Sequence, residues 1–380
     1  MNRRSFLQSL AVGLFGAGCA RAGGGAATSA SGAPASSGRR KNWVWITLER
    51  EQPADAWRRD FAAMRAAGIT AILPEIYNGR QAYFGSRRLP VKTERLEMML
   101  PLARAEGLEV HAWMWCMPCL VEEVLQKHPD WYNVNAMGES AATKPAYVDY
   151  YKFLDPARPE AREFIQGTVK ELAEYGELAG VHLDYIRHPD AILPKGLWKK
   201  YNLVQDRVYP EFDYGYSPYS RAAFKAKHGV DPIEIRDPTN HAEWMQYRWD
   251  SVTELVNGYL VPAAHAKNKQ ITAAVFPGPT LARSMVRQDW GRWDLDAFLP
   301  MLYNNFYEAG PEWVLAQTRE GVATVTKPIY AGLFAPPVDA SGLRALAEAA
   351  MRGGASGVSI FSASAMDESK WKALAAVVGV

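Results

Sequence analysis

The sequence has few of the features that mark several common protein classes. Cysteine occurs only three times in 380 residues, which excludes the disulfide-dense frameworks of small secreted domains. No G-x-G-x-x-G stretch follows the first strand-like segment, so a dinucleotide-binding domain is not expected. No H-E-x-x-H or H-x-H cluster occurs either, which disfavours the common metal-dependent hydrolases. The sequence therefore predicts no cofactor.

Charge of one sign is also not in excess once the first 41 residues are set apart. That segment contains six of the 43 Lys and Arg residues and no Asp or Glu. The remainder holds 37 basic against 41 acidic side chains, a net charge near −4 instead of +2. A slightly acidic domain lacks the basic surface that nucleic-acid binding needs, so no nucleic-acid partner is expected.

The first 41 residues differ in character from the rest of the chain. Arg3 and Arg4 precede an apolar run at residues 10–15, which is typical of a twin-arginine export signal and too short to predict a membrane span. Cys19 is a candidate for lipid attachment, with cleavage at a nearby small residue as the alternative. We expect a signal at 1–19, a flexible Gly/Ala/Ser-rich tether at 20–41 and a folded domain at 42–380, located in the periplasm or lipid-anchored in the cell envelope.

Residues 42–380 repeat one unit, in which a short apolar run is followed by a loop and an amphipathic helix pattern. Strands alternating with helices in this way predict a closed (β/α)₈ or TIM barrel. The connections after strands three and four, 116–157 and 188–240, are long and rich in aromatic residues, as functional loops often are. The eight strands are predicted at 43–48, 71–76, 109–115, 180–186, 270–276, 297–303, 328–334 and 357–361.

The segment HLDYIRHP at residues 182–189 is the most informative stretch. Pro189 cannot donate a ladder hydrogen bond, so the strand is expected to end before it. Alternation places His182 and Asp184 on one face and Tyr185 on the other, towards the helices. An ionised aspartate inside a sheet core would be costly, so Asp184 is expected at the open strand end, where TIM barrels carry their chemistry.

Four stretches resemble the bacterial glycoside-hydrolase-like family ten, a group of (β/α)₈ barrels that are often exported or lipid-anchored. The resemblance implies a cofactor-free glycosidase acting on a poly- or oligosaccharide, with a cell-envelope glycan among the candidates. A catalytically inactive carbohydrate-binding barrel is the alternative, and a single carboxylate at the barrel mouth would favour it. The four stretches are 153–160 (FLDPARPE), 180–189 (GVHLDYIRHP), 288–293 (QDWGRW) and 299–303 (LPMLY).

Glycoside hydrolysis normally uses two carboxyl groups that flank the scissile bond. Asp184 is the first candidate, because its strand also resembles the fourth strand of alpha-amylase-type barrels, where an Asp at the matching place attacks the sugar. We expect it to be the nucleophile of a retaining mechanism, kept ionised by Arg187; a structural ion pair is the alternative. Its partner is predicted to be either Glu75 or Asp289. Asp289 could instead cap the helix that follows it, and Glu75 could hydrogen-bond a sugar hydroxyl without transferring a proton. Glu308 is expected to be a solvated loop residue.

Further side chains are predicted to bind the sugar around these carboxyl groups. Trp115 and Trp290 are the expected stacking surfaces, because a flat ring can cover the apolar face of a sugar. His182 lies one step below Asp184 on the same face and is expected to orient it. The other predicted substrate-binding residues are Tyr77, Trp113, Arg187, His188, Tyr303 and Asn304.

The segment WCMPC at residues 115–119 copies the W-C-x-P-C sequence of thioredoxin-type proteins. A C-x-x-C pair is most reactive at a helix N-terminus of a thioredoxin fold, whereas this one lies within the third unit of a barrel. A disulfide formed in an oxidising compartment is therefore favoured over redox catalysis. A zinc site would need two more ligands. A metal-dependent hydrolase, the weaker alternative, would use His182, Asp184 and His188.

Overall fold

Eight parallel strands and the helices between them make up the folded part of the chain. The computed structural model describes residues 41–48 and 51–379. All eight predicted strands are present there, although the first, fourth, fifth and sixth end one to three residues earlier than expected. Their bounds are β1 (Trp43–Ile46), β2 (Ala71–Tyr77), β3 (Glu109–Trp115), β4 (Gly180–Asp184), β5 (Gln270–Val275), β6 (Ala297–Pro300), β7 (Tyr330–Phe334) and β8 (Gly357–Phe361).

Helices follow the strands and cover the outside of the sheet. A π-helical turn, Leu255–Leu260, joins α7 and α8 into one continuous helix. The described residues form the helices α1 (Ala54–Ala66), α2 (Arg95–Ala105), α3 (Glu122–Lys127), α4 (Pro159–Ala173), α5 (Trp198–Tyr201), α6 (Pro218–His228), α7 (Ala242–Glu254), α8 (Val261–His265), α9 (Pro279–Val286), α10 (Pro311–Thr324), α11 (Ala340–Arg352) and α12 (Glu368–Val378).

The strand order shows how the sheet closes into a barrel. The hydrogen-bonded order is β6-β5-β4-β3-β2-β1-β8-β7, and every pairing is parallel. Two further parallel bridges, Phe298 with Ile329 and Met301 with Gly332, connect β6 to the β7 side. The predicted (β/α)₈ barrel is therefore confirmed.

Both faces of the sheet are buried, which explains why the strands are almost continuously apolar. Residues at alternate positions face the barrel axis, and the others pack under the helices. The inward set is unusually bulky on two strands, with Trp43 and Trp45 from β1 and Trp113 from β3. A side chain at Gly180 would place its Cβ 2.5 Å from the Nδ1 atom of His111, so glycine is needed there.

Helix α11 illustrates how the outer layer is specified locally. Its N-terminus is capped by the Asp339 carboxylate, which accepts the N–H of Gly342 at 2.8 Å. Its apolar residues recur at helical spacing and form the face that packs on the sheet. The buried residues of this face are Leu343, Leu346, Ala347, Ala349 and Ala350.

Two connections at the C-terminal ends of the strands are long, as expected. One runs from β3 to α4 and contains α3, and the other runs from β4 to α7 and contains α5 and α6. The predicted export signal, Cys19 and most of the predicted tether lie outside the described residues. None of the helices in the described part of the chain is long and apolar enough to cross a lipid bilayer.

Candidate active site

Two carboxylates lie at the mouth of the barrel, on the two strands that flank β3. The register pairs Glu75 of β2 with Trp113, and Asp184 of β4 with Trp115. Because the four side chains occupy inward-facing positions, both carboxylates face the barrel axis near the C-terminal ends of the strands. Asp184 lies two residues closer to the C-terminal end than Glu75. The structure thus brings together the first predicted carboxylate and one of its two predicted partners.

Asp184 is almost fully buried, with 9% of its surface exposed. Its Oδ1 accepts the backbone N–H of Tyr185 at 2.7 Å, and its Oδ2 accepts the indole N–H of Trp113 at 3.0 Å. Burial raises the pKa of Asp184 to about 6, against smaller opposing effects of the Tyr185 N–H, Arg187 and Trp113. A carboxyl group with this pKa exchanges its proton close to neutral pH, as a general acid must.

Arg187 does not act on Asp184 as expected. Its Nη1 donates to the Asp190 carboxylate and to the His188 carbonyl, both at 3.0 Å, and the guanidinium is buried among aromatic rings. The prediction that Arg187 keeps the pKa of Asp184 low is wrong, because Arg187 is paired with Asp190 and the effect of burial is larger. Its Nη1 and Nη2 atoms donate to Asp190, the His188 carbonyl and the Tyr151 hydroxyl, and these contacts within the protein contradict the predicted contact with substrate hydroxyls.

Glu75 is held in a similar way to Asp184. Its carboxylate is 4% exposed, and its Oε1 accepts the indole N–H of Trp115 at 2.8 Å. The two tryptophans of β3 therefore each donate to one carboxylate, Trp113 to the β4 side and Trp115 to the β2 side.

Asp289 and Trp290, which follow β5, do not join the two mouth carboxylates. Asp289 forms ion pairs of 3.6 Å with Arg283 and with Arg292, and among the described residues it contacts neither mouth carboxylate. Its side chain caps no helix. Trp290 is fully buried, and its N–H donates to the carbonyl of Phe276 at 3.2 Å. The prediction of Trp290 as a sugar-stacking surface is therefore wrong, because its ring is part of the core.

Tyr185 contacts both the inward-facing Trp115 and the outer core. Strand β4 ends at Asp184, and the backbone of Tyr185 adopts a left-handed conformation with φ of +50°. This conformation interrupts the alternation, and the Tyr185 ring lies 4.7 Å from the ring of Trp115, which also packs on Tyr150 at 5.6 Å. Tyr185 therefore packs against the outer core, as expected, but also contacts Trp115 on the inward side, which was not expected. The predicted stacking residue Trp115 is one of a group of aromatic rings.

A β-bulge removes Tyr77 from the mouth. The pairing of β2 with β3 shifts between Glu75 and Tyr77, so that Tyr77 lies opposite Met114, whose side chain faces outwards. The Tyr77 hydroxyl donates to the Gly79 carbonyl at 3.2 Å, and the residue is buried in the outer core. The predicted substrate contact of Tyr77 is wrong, because the extra residue reverses the direction of its side chain.

The two histidines of the fourth unit are also buried. His182 accepts the indole N–H of Trp45 at 3.1 Å and lies 2.9 Å from the Thr272 hydroxyl; neither of these contacts involves Asp184. His188 lies 3.0 Å from the Asn133 amide nitrogen. Burial lowers the pKa of both histidines, that of His188 to about 3. Their predicted roles in binding substrate and in orienting Asp184 are therefore wrong.

These contacts also bear on the metal alternative. The ring nitrogens of His182 and His188 are engaged with protein groups. Within residues 41–48 and 51–379, no three His, Cys, Asp or Glu side chains form a group that could hold a metal ion.

Tyr303, after β6, lies beside Asp184. Burial, with the charges of Asp184 and Tyr185, raises the pKa of its phenol well above the usual range. Its hydroxyl makes no hydrogen bond to any described residue. Its ring lies 5.1 Å from Phe334 and 5.9 Å from Phe361, the last residues of β7 and β8. These two phenylalanines were not among the predicted site residues, although strand alternation could have placed them at the mouth.

Asn304 bonds within its own loop, and the two cysteines after β3 are buried. The side-chain amide of Asn304 donates to the Ala309 carbonyl at 2.6 Å and so holds its own loop. Cys116 and Cys119 are both buried free thiols. The predicted disulfide between them is therefore not present in this structure, and burial raises the pKa of both thiols.

Comparison with solved structures identifies the same architecture. The chain superposes on the catalytic domain of a β-amylase from Paenibacillus polymyxa with a TM-score of 0.62 and 12% identity, covering 89% of this chain and 97% of that one. A β-galactosidase from the Antarctic haloarchaeon Halorubrum lacusprofundi gives 0.60 and 13%, covering 89% and 57%. A β-galactosidase from Rahnella sp. R3 gives 0.61 and 11%, covering 89% and 55%. At such identities the likeness shows the fold alone.

No curated protein matches the chain. A family model does match part of it, over residues 70–193, and is described as Glycosyl hydrolase-like 10. This segment contains strands β2, β3 and β4, with both mouth carboxylates and the two tryptophans that bind them. Residues 70–193 therefore match the glycosyl hydrolase-like family 10, which confirms the resemblance seen in the sequence.

Proposed function

We propose that the protein is a glycosidase that cleaves a poly- or oligosaccharide at the mouth of its barrel, with Asp184 and Glu75 as the two carboxyl groups. The observation that supports this proposal most strongly is their arrangement on the two flanks of β3, each held by an indole N–H. Two carboxyl groups on either side of the scissile bond are what glycoside hydrolysis requires.

The surroundings of Asp184 favour the role of general acid. A pKa of about 6 leaves a fraction of the carboxyl group protonated near neutral pH. Asp184 would give this proton to the glycosidic oxygen as the bond from that oxygen to the anomeric carbon breaks. As that bond breaks, Glu75 would form a bond to the anomeric carbon directly, or would take a proton from a water molecule whose oxygen forms that bond. This assignment reverses the nucleophile role that the amylase-like strand suggested for Asp184.

The aromatic rings around the carboxylates supply a surface for sugar binding. Trp115 and Tyr185 lie on one side of the mouth, and Tyr303 lies on the other with Phe334 and Phe361. Aromatic rings bind the apolar faces of pyranoses, and the Tyr303 hydroxyl, which has no hydrogen-bond partner among the described residues, would bind a sugar hydroxyl.

Activity of three matched amide variants tests the proposal. Release of reducing ends from a panel of poly- and oligosaccharides, cell-envelope glycans included, should be lost in Asp184→Asn and in Glu75→Gln. Asp289→Asn, the control, should retain it, because Asp289 pairs with arginines away from the mouth. General acid catalysis contributes about 10²–10⁴ in rate, which sets the size of loss expected for Asp184→Asn. Full activity in that variant would refute the mechanism, and binding without hydrolysis by the wild type would favour the carbohydrate-binding alternative.

We also propose that the chain is exported and then held in the periplasm or at the envelope through Cys19. Support comes from Arg3 and Arg4, the apolar run after them and the small residues before the cysteine. Fractionation of cells that express wild type or an Arg3→Lys, Arg4→Lys variant should show export of the first alone. Labelled fatty acid should be incorporated by wild type and not by Cys19→Ala; equal labelling would refute the lipid anchor.

A further inference from the structure

Four tryptophans of β1 and β3 face the inside of the barrel, and three of them donate their indole N–H to a titratable side chain. The fourth, Trp43, has a buried N–H without an acceptor. The three donor–acceptor pairs are Trp45 to His182 at 3.1 Å, Trp113 to Asp184 at 3.0 Å and Trp115 to Glu75 at 2.8 Å.

We propose that Trp113 is a positioning residue for the acid step, whose indole N–H fixes the Asp184 carboxyl group and sets its affinity for a proton. The proposal rests on the function proposed above. An indole donates one hydrogen bond, accepts none and carries no charge at any accessible pH. It can therefore favour the ionised form of a carboxyl group without attracting a charged ligand or a counterion.

The geometry gives Trp113 this role rather than one of its neighbours. Among the described residues it is the one side chain that donates a hydrogen bond to Asp184; the other donor is the backbone of Tyr185. The Trp113 ring is itself buried and packs edge-on against Phe361 at 6.3 Å, which fixes the direction of its N–H. With one donor on each oxygen, the plane of the carboxyl group is held, and each oxygen keeps a further lone pair for the proton.

Among the described residues, the other nearby side chains that could favour the ionised form of Asp184 are engaged elsewhere. Arg187 is engaged with Asp190, and His182 is a neutral ring bonded to Trp45. The titratable or charged groups that face Asp184 from the surrounding elements are Glu75 from β2, Cys116 after β3, His182 from β4, Tyr185 and Arg187 after β4, and Tyr303 after β6. Of these, the thiol and phenols are neutral near pH 6, since burial raises their pKa values.

The first test is the pKa of Asp184, which needs no substrate. Carboxyl ¹³C resonances of aspartate-labelled protein are followed against pH, and Asp184→Asn assigns the resonance. In Trp113→Phe the titration midpoint should rise by about one unit, a tenfold change in proton affinity, because a hydrogen bond to the ionised form is lost. Trp43→Phe is the matched control, since it removes a buried indole N–H that has no acceptor, and its midpoint should equal that of wild type.

The second test is the pH dependence of hydrolysis. In Trp113→Phe the alkaline limb of the pH profile, where Asp184 loses its proton, should move to higher pH by the same amount. Because the carboxyl group is no longer held in place, kcat should fall about tenfold, while KM stays nearly unchanged. An unchanged midpoint in Trp113→Phe, or an equal shift in Trp43→Phe, would overturn the positioning role. A wild type that cleaves no glycan would refute the proposed function instead, and the titration would still decide this inference.

If Trp113→Phe does not fold, 3-benzothienylalanine at residue 113 keeps the bicyclic ring and removes only the donor. The same rise in the midpoint is expected from that replacement.

Discussion

The barrel mouth and the core beneath the second long loop each contain a buried aspartate, and the two have opposite pKa shifts. Asp184 at the mouth is 9% exposed, and Asp213 in the loop core is 2% exposed. The Asp213 Oδ1 accepts Arg248 Nη1 at 2.6 Å and Arg287 Nη2 at 2.8 Å. Burial acts to raise the pKa of Asp213, yet the two guanidinium groups hold it at about 2, whereas that of Asp184 is about 6.

The difference shows that burial alone does not determine the state of a carboxyl group. Both aspartates lose hydration, but only Asp213 gains full charges in compensation, together with the Tyr216 hydroxyl at 2.9 Å. Its hydrogen-bonding capacity is used within the protein, which is typical of a structural ion cluster. Asp184 receives two N–H donors and no paired cation, so its protonation remains open to change near neutral pH.

The largest expected effect is on stability, from removing the charge of Asp213. Asp213→Asn leaves Arg248 and Arg287 buried without a counter-charge and should lower the free energy of unfolding by about 3–5 kcal/mol. Urea unfolding at pH 7, followed by tryptophan fluorescence, measures this loss. Asp184→Asn is the comparison variant and should not be destabilised to this extent, because no buried cation depends on its charge. Equal losses in the two variants would contradict the distinction between the regions.

The pH dependence of stability should separate the same two residues. Between about pH 4 and 6, folded Asp184 holds a proton that an unfolded aspartate, with a pKa of about 3.9, releases. Its contribution to stability therefore falls as pH rises through this window, by up to about 3 kcal/mol. For Asp213, with a folded pKa of about 2, the sign is reversed, and its contribution is lost as pH falls from about 4 to 2.

Unfolding of the wild type and both variants between pH 3 and 7 measures these contributions. Relative to wild type, Asp184→Asn should become more stable as pH rises from 4 to 7. The deficit of Asp213→Asn should shrink below pH 4. Parallel curves for wild type and Asp184→Asn would show that the pKa of Asp184 is not raised.

Much of the fold follows from the sequence, because a two-sided buried sheet leaves a simple pattern. Short apolar runs at regular intervals, with amphipathic helices between them, specify all eight strands of the barrel. The strand ends were less predictable: β4 stops at Asp184, where the left-handed Tyr185 follows, and β6 stops at Pro300. Whether a chain leaves a strand early depends on tertiary contacts that periodicity does not encode.

The site was predictable where alternation holds and unpredictable where it breaks. Asp184, and Glu75 as one of two candidate partners, were predicted from their places near strand ends, and the structure places both on inward-facing positions of the strands that flank β3. Tyr77 was misplaced by a bulge of one residue in β2, and the contact of Tyr185 with Trp115 was missed because it depends on one left-handed backbone conformation. The pairing of Arg187 with Asp190 was missed for another reason, since the sequence does not show which of two nearby acids an arginine will bind.

A smaller effect is expected at two tyrosines, Tyr303 and Tyr77, because they compare the mouth with the core through uncharged side chains. Tyr303 lies at the mouth, and its hydroxyl has no partner among the described residues, whereas the Tyr77 hydroxyl bonds to Gly79 in the core. Tyr303→Phe should leave stability within about 0.5 kcal/mol and weaken oligosaccharide binding about three- to tenfold, the worth of one hydrogen bond. Tyr77→Phe should do the opposite, with about 1 kcal/mol of stability lost and binding unchanged.

Calorimetric titration in the Asp184→Asn background, where the ligand is not consumed, measures binding by both tyrosine variants. Weaker binding by Tyr77→Phe alone would place the sugar outside the mouth defined by Asp184 and Glu75.

The smallest effect is expected at the thiols that follow β3. Cys116 donates its backbone N–H to the carbonyl of Asp184 at 2.8 Å, so its link to the site does not involve the side chain. Burial raises the pKa values of Cys116 and Cys119, and the negative charge of Asp184 contributes for Cys116. Neutral, buried thiols are poor nucleophiles. Replacing both with Ala should cost on the order of 1–2 kcal/mol through lost packing and leave hydrolysis within about twofold of wild type. If the wild type reduces insulin and the double variant does not, the pair is a redox centre. That result would also show that a thiol buried beside Asp184 can be reactive without a paired cation.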